Sequence, residues 1–157
     1  MSSNFIDRSP HEQVRANTSS DPLPSLGEEI ANSVSHGVGL LVAIAVGPFL
    51  ITRAVEHDKP WGTIATCVFV ATTVALYLGS TLYHALPSGR YKRIFRKLEH
   101  SAIFVLIAGT YTPITLIALR GLWGWTLFGL VWILAAVGIL LRLFATTRHR
   151  WLPGVLY

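Results

Sequence analysis

Few residues in this chain combine types and spacing that can do chemistry. Ser80 and His84 lie four apart, so a helix places them on one face, with Tyr77 on that face as well. Glu99 and His100 follow one short connection later. If the two segments form a helical hairpin, an imidazole and a carboxylate converge at one depth. Imidazole nitrogen and carboxylate oxygen both suit zinc. Zinc takes three or four ligands, and this constellation supplies at most two or three. Plainer roles stand beside this one. A histidine near a helix C-terminus and an acid near an N-terminus each complement the helix dipole. Ser80 can bond the carbonyl one turn back. His36, in Asn32-Ser33-Val34-Ser35-His36-Gly37, is a second candidate, weighed more as an interfacial hydrogen-bonding residue than as a ligand. Thr110, Tyr111 and Thr112 precede Pro113 and fit compensation for a proline kink better than a site.

The elements that must carry these residues follow from where charge is missing. No Asp, Glu, Lys or Arg occurs between Glu29 and Arg53, from Pro60 to Gly89, from Ser101 to Leu119, or from Gly121 to Leu141. A bilayer core of about 30 Å needs roughly 20 apolar residues at 1.5 Å each, and each window is about that long. The chain is 52% hydrophobic and 13% charged, against about 25% charged in soluble domains. The expected fold class is therefore all-α, a polytopic transmembrane helix bundle. Its spans fall at about 34–52, 62–83, 101–119 and 122–143.

Local signals refine this. Ser25-Leu26-Gly27-Glu28 fits a capping box, opening a short interfacial helix that runs into the first span. Pro48 predicts a kink in that span, and Pro113 lies near the middle of the third. Arg53 to Lys59 forms the first loop. Ala71, Ala75 and Gly79 form a small-residue stripe suited to close helix approach. Arg120-Gly121 makes a tight hairpin, and Trp61, Trp123 and Trp125 mark interfaces. Residues 1–24 lack periodicity and are expected to form a disordered cytoplasmic tail.

The net charge of +5 would suggest nucleic acid in a soluble protein, but here it explains topology. The loop from Ser88 to Lys97 holds five Lys or Arg, and Arg142, Arg148 and Arg150 follow the fourth span. The other loops hold Arg53, Lys59 and Arg120 between them. Positive-inside bias puts the richer side, and with it the N-terminus, in the cytoplasm. The expected location is the cell inner (plasma) membrane. Membrane lipids are the expected partners, self-association into a homo-oligomer is a second expectation, and no nucleic-acid partner is expected. No signal peptide is visible in the polar first 25 residues. Cys67, the one cysteine, fits a small buried hydrophobe. No phosphate loop, dinucleotide fingerprint or Ser/His/Asp order is present.

Several segments resemble the hemolysin III family. They are Glu28-Glu29-Ile30-Ala31-Asn32-Ser33 with His36-Gly37, Ser80-Thr81-Leu82-Tyr83-His84, and Leu98-Glu99-His100-Ser101-Ala102-Ile103. Ala108-Gly109-Thr110-Tyr111-Thr112-Pro113 and Arg120-Gly121-Leu122-Trp123-Gly124-Trp125 complete five motifs in order. That family is similar to the progestin and adipoQ receptors, which include the adiponectin receptors, within a wider group containing alkaline ceramidases. The resemblance implies a seven-helix bundle with a cytoplasmic N-terminus and a zinc ion near the cytoplasmic face. It implies that His84 is a metal ligand and that Ser80 and Glu99 are catalytic, Glu99 standing where the family usually has Asp. It further implies two ligands from a His-x-x-x-His motif in a seventh helix, which this sequence does not contain. Against the resemblance the chain looks truncated where a fifth span would be starting, at Leu152-Pro153-Gly154-Val155-Leu156-Tyr157. With only half the site, it is expected to hold zinc weakly or not at all. The implied activity is metal-dependent hydrolysis of a lipid amide; a pore-forming cytolysin and a receptor-like membrane sensor are the alternatives.

Overall fold

The computed structural model describes residues 24–57 and 60–144. Within them the chain is all-helical. Helix α1 runs Leu26–His57, α2 Pro60–Ala85, α3 Arg90–Pro113 and α4 Gly121–Phe144; a π-helical segment, Ile114–Leu119, continues α3. Each of the four is long and apolar enough to cross a membrane. The tail before Pro24, the Asp58-Lys59 connection, and Arg148, Arg150 and the final residues lie outside the described residues.

The core is made of small side chains. The buried hydrophobics are Ala54, Ala65, Ala108 and Ala135, joined by Thr72, Ser80, Thr112 and Thr115. Large residues such as Leu41, Phe49, Ile133 and Leu134 point outward. In water this pattern would be inverted. In lipid, large apolar groups gain nothing by leaving the surface, so helices associate through small residues that let backbones approach. Gly109 shows the fit: a Cβ there would run into the Thr72 side chain of α2. Gly138 likewise lies against the Phe104 ring, where a Cβ would come within 2.7 Å. The helices pack in sequence order, α1 on α2, α2 on α3 and α3 on α4.

The capping box forms as the sequence predicts. The Ser25 backbone N–H donates to Glu28 Oε2 at 2.7 Å, and the Glu28 N–H donates to Ser25 Oγ at 3.3 Å. The interfacial segment is continuous with the first span. Arg120 and Gly121 make the tight hairpin, with φ of 42° and 69°. Trp61 and Trp125 meet edge to face at that end of the bundle, their ring centres 5.3 Å apart. Before Pro113, the Thr110 and Thr112 hydroxyls donate to the carbonyls of Leu106 and Ala108. These threonines therefore serve the backbone, and Thr112 also accepts from Trp132 Nε1 at 3.1 Å.

Three expectations are corrected. The basic stretch from Ser88 to Lys97 is not a loop, because α3 starts at Arg90. Arg, Lys, Leu and Glu are good helix formers, so the helix begins well before hydrophobicity does. Glu99 consequently lies inside α3 and does not open it. The first loop also shrinks: α1 continues to His57, supported by an Arg53–Glu56 pair at 3.5 Å. Finally, the Ala71, Ala75, Gly79 stripe is not the packing face among the described helices. Ala71 and Ala75 are exposed, and nothing lies near Gly79. The neighbouring face, through Ala65, Thr72 and Ser80, is buried instead. Spacing alone identifies a stripe but not the direction in which it points.

Candidate metal centre

The middle helix of the first three organises the site. Ser80 and His84 sit one turn apart near the C-terminal end of α2. Helix α1 flanks them with Glu29 and His36, which are seven residues and so about two turns apart. Helix α3 flanks them with Lys92 and Glu99, again seven apart. Ser80 therefore meets His36 and Glu99, and His84 meets Glu29 and Glu99.

At the deeper level, Ser80 Oγ donates to Glu99 Oε1 at 2.6 Å. His36 Nδ1 contacts the same Ser80 oxygen. A hydroxyl has one proton, and an ionised carboxylate only accepts. With the Ser80 proton committed to Glu99, the His36 contact is made by a ring N–H at Nδ1. In the neutral ring that leaves the His36 lone pair on Nε2. Ser80 is 1% exposed, so no water replaces either bond.

At the outer level, His84 Nδ1 lies 2.8 Å from Glu29 Oε2. The carboxylate accepts, so Nδ1 carries a proton, and in the neutral ring the lone pair is on Nε2. His84 Nε2 in turn lies 3.5 Å from Glu99 Oε1. Lys92 Nζ donates to Glu29 Oε1 at 2.7 Å and to the Leu86 carbonyl at 3.2 Å. The His36 and His84 rings meet at 5.7 Å between centres, and Tyr77 closes against His36 at 6.0 Å. Tyr77 thus packs the α1–α2 interface: a Cβ on Gly39 would fall 2.6 Å from its ring.

One donor atom from each of His36, His84 and Glu99 lies within 4.8 Å of the others. Ligands about 2.0–2.1 Å from a tetrahedral zinc stand about 3.3–3.4 Å apart, so the His84–Glu99 separation already matches. Two histidines and a glutamate are also a donor set known for catalytic zinc, where three protein ligands leave one position open. The donors therefore suit a divalent cation by chemistry, and the His84–Glu99 pair by spacing as well.

The sequence-derived residues Ser80, His84 and Glu99 are brought together. His36, weighed mainly as a hydrogen-bonding residue, makes such a bond and joins the donor group as well. His100, grouped with Glu99 by sequence, does not belong to the donor group. Its Nδ1 lies 2.7 Å from the Arg96 carbonyl of its own helix. Glu29 and Lys92 were not singled out for chemistry. The available signal was the seven-residue spacing of Glu29 to His36 and of Lys92 to Glu99.

Comparison with known proteins bears on the whole constellation. The family described as Haemolysin-III related matches residues 25–157. Hemolysin-3 of Bacillus cereus is 43% identical over 121 residues, covering 77% of this chain and 55% of that protein. The Hemolysin-3 homolog of Bacillus subtilis (strain 168) is 41% identical over 133 residues, covering 85% of this chain and 62% of that protein. The chain thus spans a little over half of these relatives' length. No solved structure matches it.

Proposed function

The chain belongs to the haemolysin-III related family, and from that premise we propose that it carries a metal-dependent hydrolytic site for a lipid amide. The observation that carries the reading is the donor group of His36, His84 and Glu99. These three residues would hold a divalent cation, zinc by preference for nitrogen and carboxylate donors. The expectation of weak zinc binding rested on the missing His-x-x-x-His ligands; His36, counted with His84 and Glu99, would bring the protein ligands in this chain to three. Bound there, zinc would supply Lewis acidity toward a carbonyl oxygen.

The chain's own residues do the rest. Ser80 fixes His36 and Glu99 relative to each other, so the donors need little reorganisation. Glu99 Oε1 accepts from Ser80 and stands toward His84 Nε2, so it would be the donor oxygen, and Oε2, 3.7 Å from His100 Nδ1, is the oxygen that would accept a proton from an attacking water. The site lies within the helix bundle, and the surrounding large side chains face outward. A substrate delivered laterally from the bilayer suits that setting. The basic residues of early α3 support a cytoplasmic orientation of this end.

The test uses the full chain in lipid nanodiscs with a ceramide as substrate. Equilibrium dialysis should show one zinc per chain in wild type and none in His84→Ala. Fatty-acid release should require zinc and disappear in Glu99→Gln. Stoichiometric zinc with no release from a panel of lipid amides would sink the hydrolase reading. A pore is the second reading, favoured by the name Hemolysin-3 of the Bacillus cereus relative. The ionisable side chains of the site, Glu29, His36, His84, Lys92 and Glu99, gather at one end of the helices, whereas a pore needs such groups along the whole length. Dye release from liposomes carrying the purified chain would favour the pore.

A further inference from the structure

We propose that Glu29, held in place by Lys92, is a positioning residue that sets the tautomer and ring orientation of His84. The inference rests on the metal-site reading above. It begins with how fully the Glu29 carboxylate is committed. Oε2 accepts from the His84 Nδ1–H at 2.8 Å, and Oε1 accepts from Lys92 Nζ at 2.7 Å. Lys92 is itself anchored to the Leu86 carbonyl in the α2–α3 turn at 3.2 Å, and its ammonium stands 5.2 Å from the Tyr83 ring centre. The three side chains are mostly buried, at 13%, 11% and 18% exposed for Glu29, His84 and Lys92.

An imidazole has two tautomers and two ring orientations, and only some turn a lone pair to the side where Glu99 and His36 stand. A carboxylate at Nδ1 selects the form with the lone pair on Nε2. Metal-binding histidines generally have such an outer partner, and losing it typically costs 10–100-fold in affinity. Lys92 has a separate task. An unpaired carboxylate beside a cation site would itself be a competing ligand. The ammonium holds Glu29 at the Nδ1 side of His84, so that Nε2 would be left for a cation.

A bland alternative exists: Glu29–Lys92 is only a clamp joining α1 to α3 over the end of α2. The two are separated by measuring the imidazole directly. The full chain, with ¹⁵N-labelled histidine, is prepared in detergent micelles as wild type, Glu29→Gln, Glu29→Asp and Lys92→Met. The His84 signal is identified by its absence from His84→Ala. Zinc affinity is measured by competition with a chromophoric chelator, and helicity by circular dichroism. The expected result is a single Nδ1–H tautomer in metal-free wild type, a mixture in Glu29→Gln, and 10–100-fold weaker zinc binding in Glu29→Gln at unchanged helicity. Glu29→Asp should recover part of the affinity, and Lys92→Met should lose part.

Zinc binding by Glu29→Gln within twofold of wild type, with His84 in one tautomer, would overturn the proposal and leave the metal site standing. Conversely, a wild type that binds no zinc, yet shows a His84 tautomer that depends on Glu29, would refute the metal reading and keep the orienting role. Should Glu29→Gln lose helicity, Glu29→Asp and Lys92→Met decide, and wild-type affinity in both would overturn the proposal.

Discussion

Replacing Ser80 with alanine isolates the inner hydrogen-bond chain. The hydroxyl is 1% exposed, donates to Glu99 Oε1 at 2.6 Å and accepts from His36 Nδ1. Ser80→Ala deletes one oxygen, so the void is negligible and the helix former improves. What remains is a carboxylate oxygen and an imidazole N–H that each lose a partner. A hydrogen bond to a charged group contributes about 1.5–3 kcal/mol, and a neutral one about 1 kcal/mol. Some of that returns if His36 turns to Glu99 directly, so the metal-free chain should lose about 1–3 kcal/mol. Zinc affinity should fall about 10–100-fold, because both flanking donors lose their common support. That corresponds to about 1.4–2.7 kcal/mol. Zinc titration of Ser80→Ala, His36→Ala and the double variant provides the assay. Groups acting through one another are not additive. Ser80→Ala should therefore cost much less in a His36→Ala background than in wild type. Strictly additive losses, or zinc affinity unchanged in Ser80→Ala, would refute the reasoning and reduce Ser80 to a small residue at a helix contact.

Two further perturbations probe the scaffold. Gly109→Ala should separate α2 from α3 at Thr72 and cost about 1–3 kcal/mol despite better helix propensity. It should weaken zinc binding from a distance, and unchanged resistance to unfolding in detergent would count against that close approach. Trp132→Phe removes the indole N–H that donates to Thr112 Oγ1, and should cost about 1 kcal/mol with no change in zinc affinity. A large loss of zinc in that variant would show that the Pro113 region communicates with the centre.

Membrane character and helix number were legible because both depend on local, additive properties. Charge-free windows of bilayer length specify a span whatever lies beside it, and Ser25 with Glu28 specifies a cap within one turn. The Arg120-Gly121 reversal is equally local, since two positive φ values suffice to turn the chain. The boundaries were less legible. Hydropathy reports which stretch is apolar enough for lipid, whereas the α3 helix is set by backbone propensity that ignores the difference, so Arg90 to Lys97 are helical although strongly charged.

The site divides along the same line. Ser80 and His84 share a face by helical spacing alone, and a hairpin makes Glu99 their neighbour. The rotation of each helix about its axis is a different matter. It is set by packing between helices, and the Ala71, Ala75, Gly79 stripe shows that a plausible face can point outward. The same rotation brings His36 of α1 onto Ser80 and Glu29 onto His84, across 44 and 55 residues of sequence. Sequence determined which groups stand near one end of the bundle. Only the tertiary structure decided that His36 shares the Ser80 hydroxyl with Glu99 and that His84 shares the Glu29 carboxylate with Lys92, because a hydrogen bond depends on orientation to within a fraction of an ångström and a motif fixes only order.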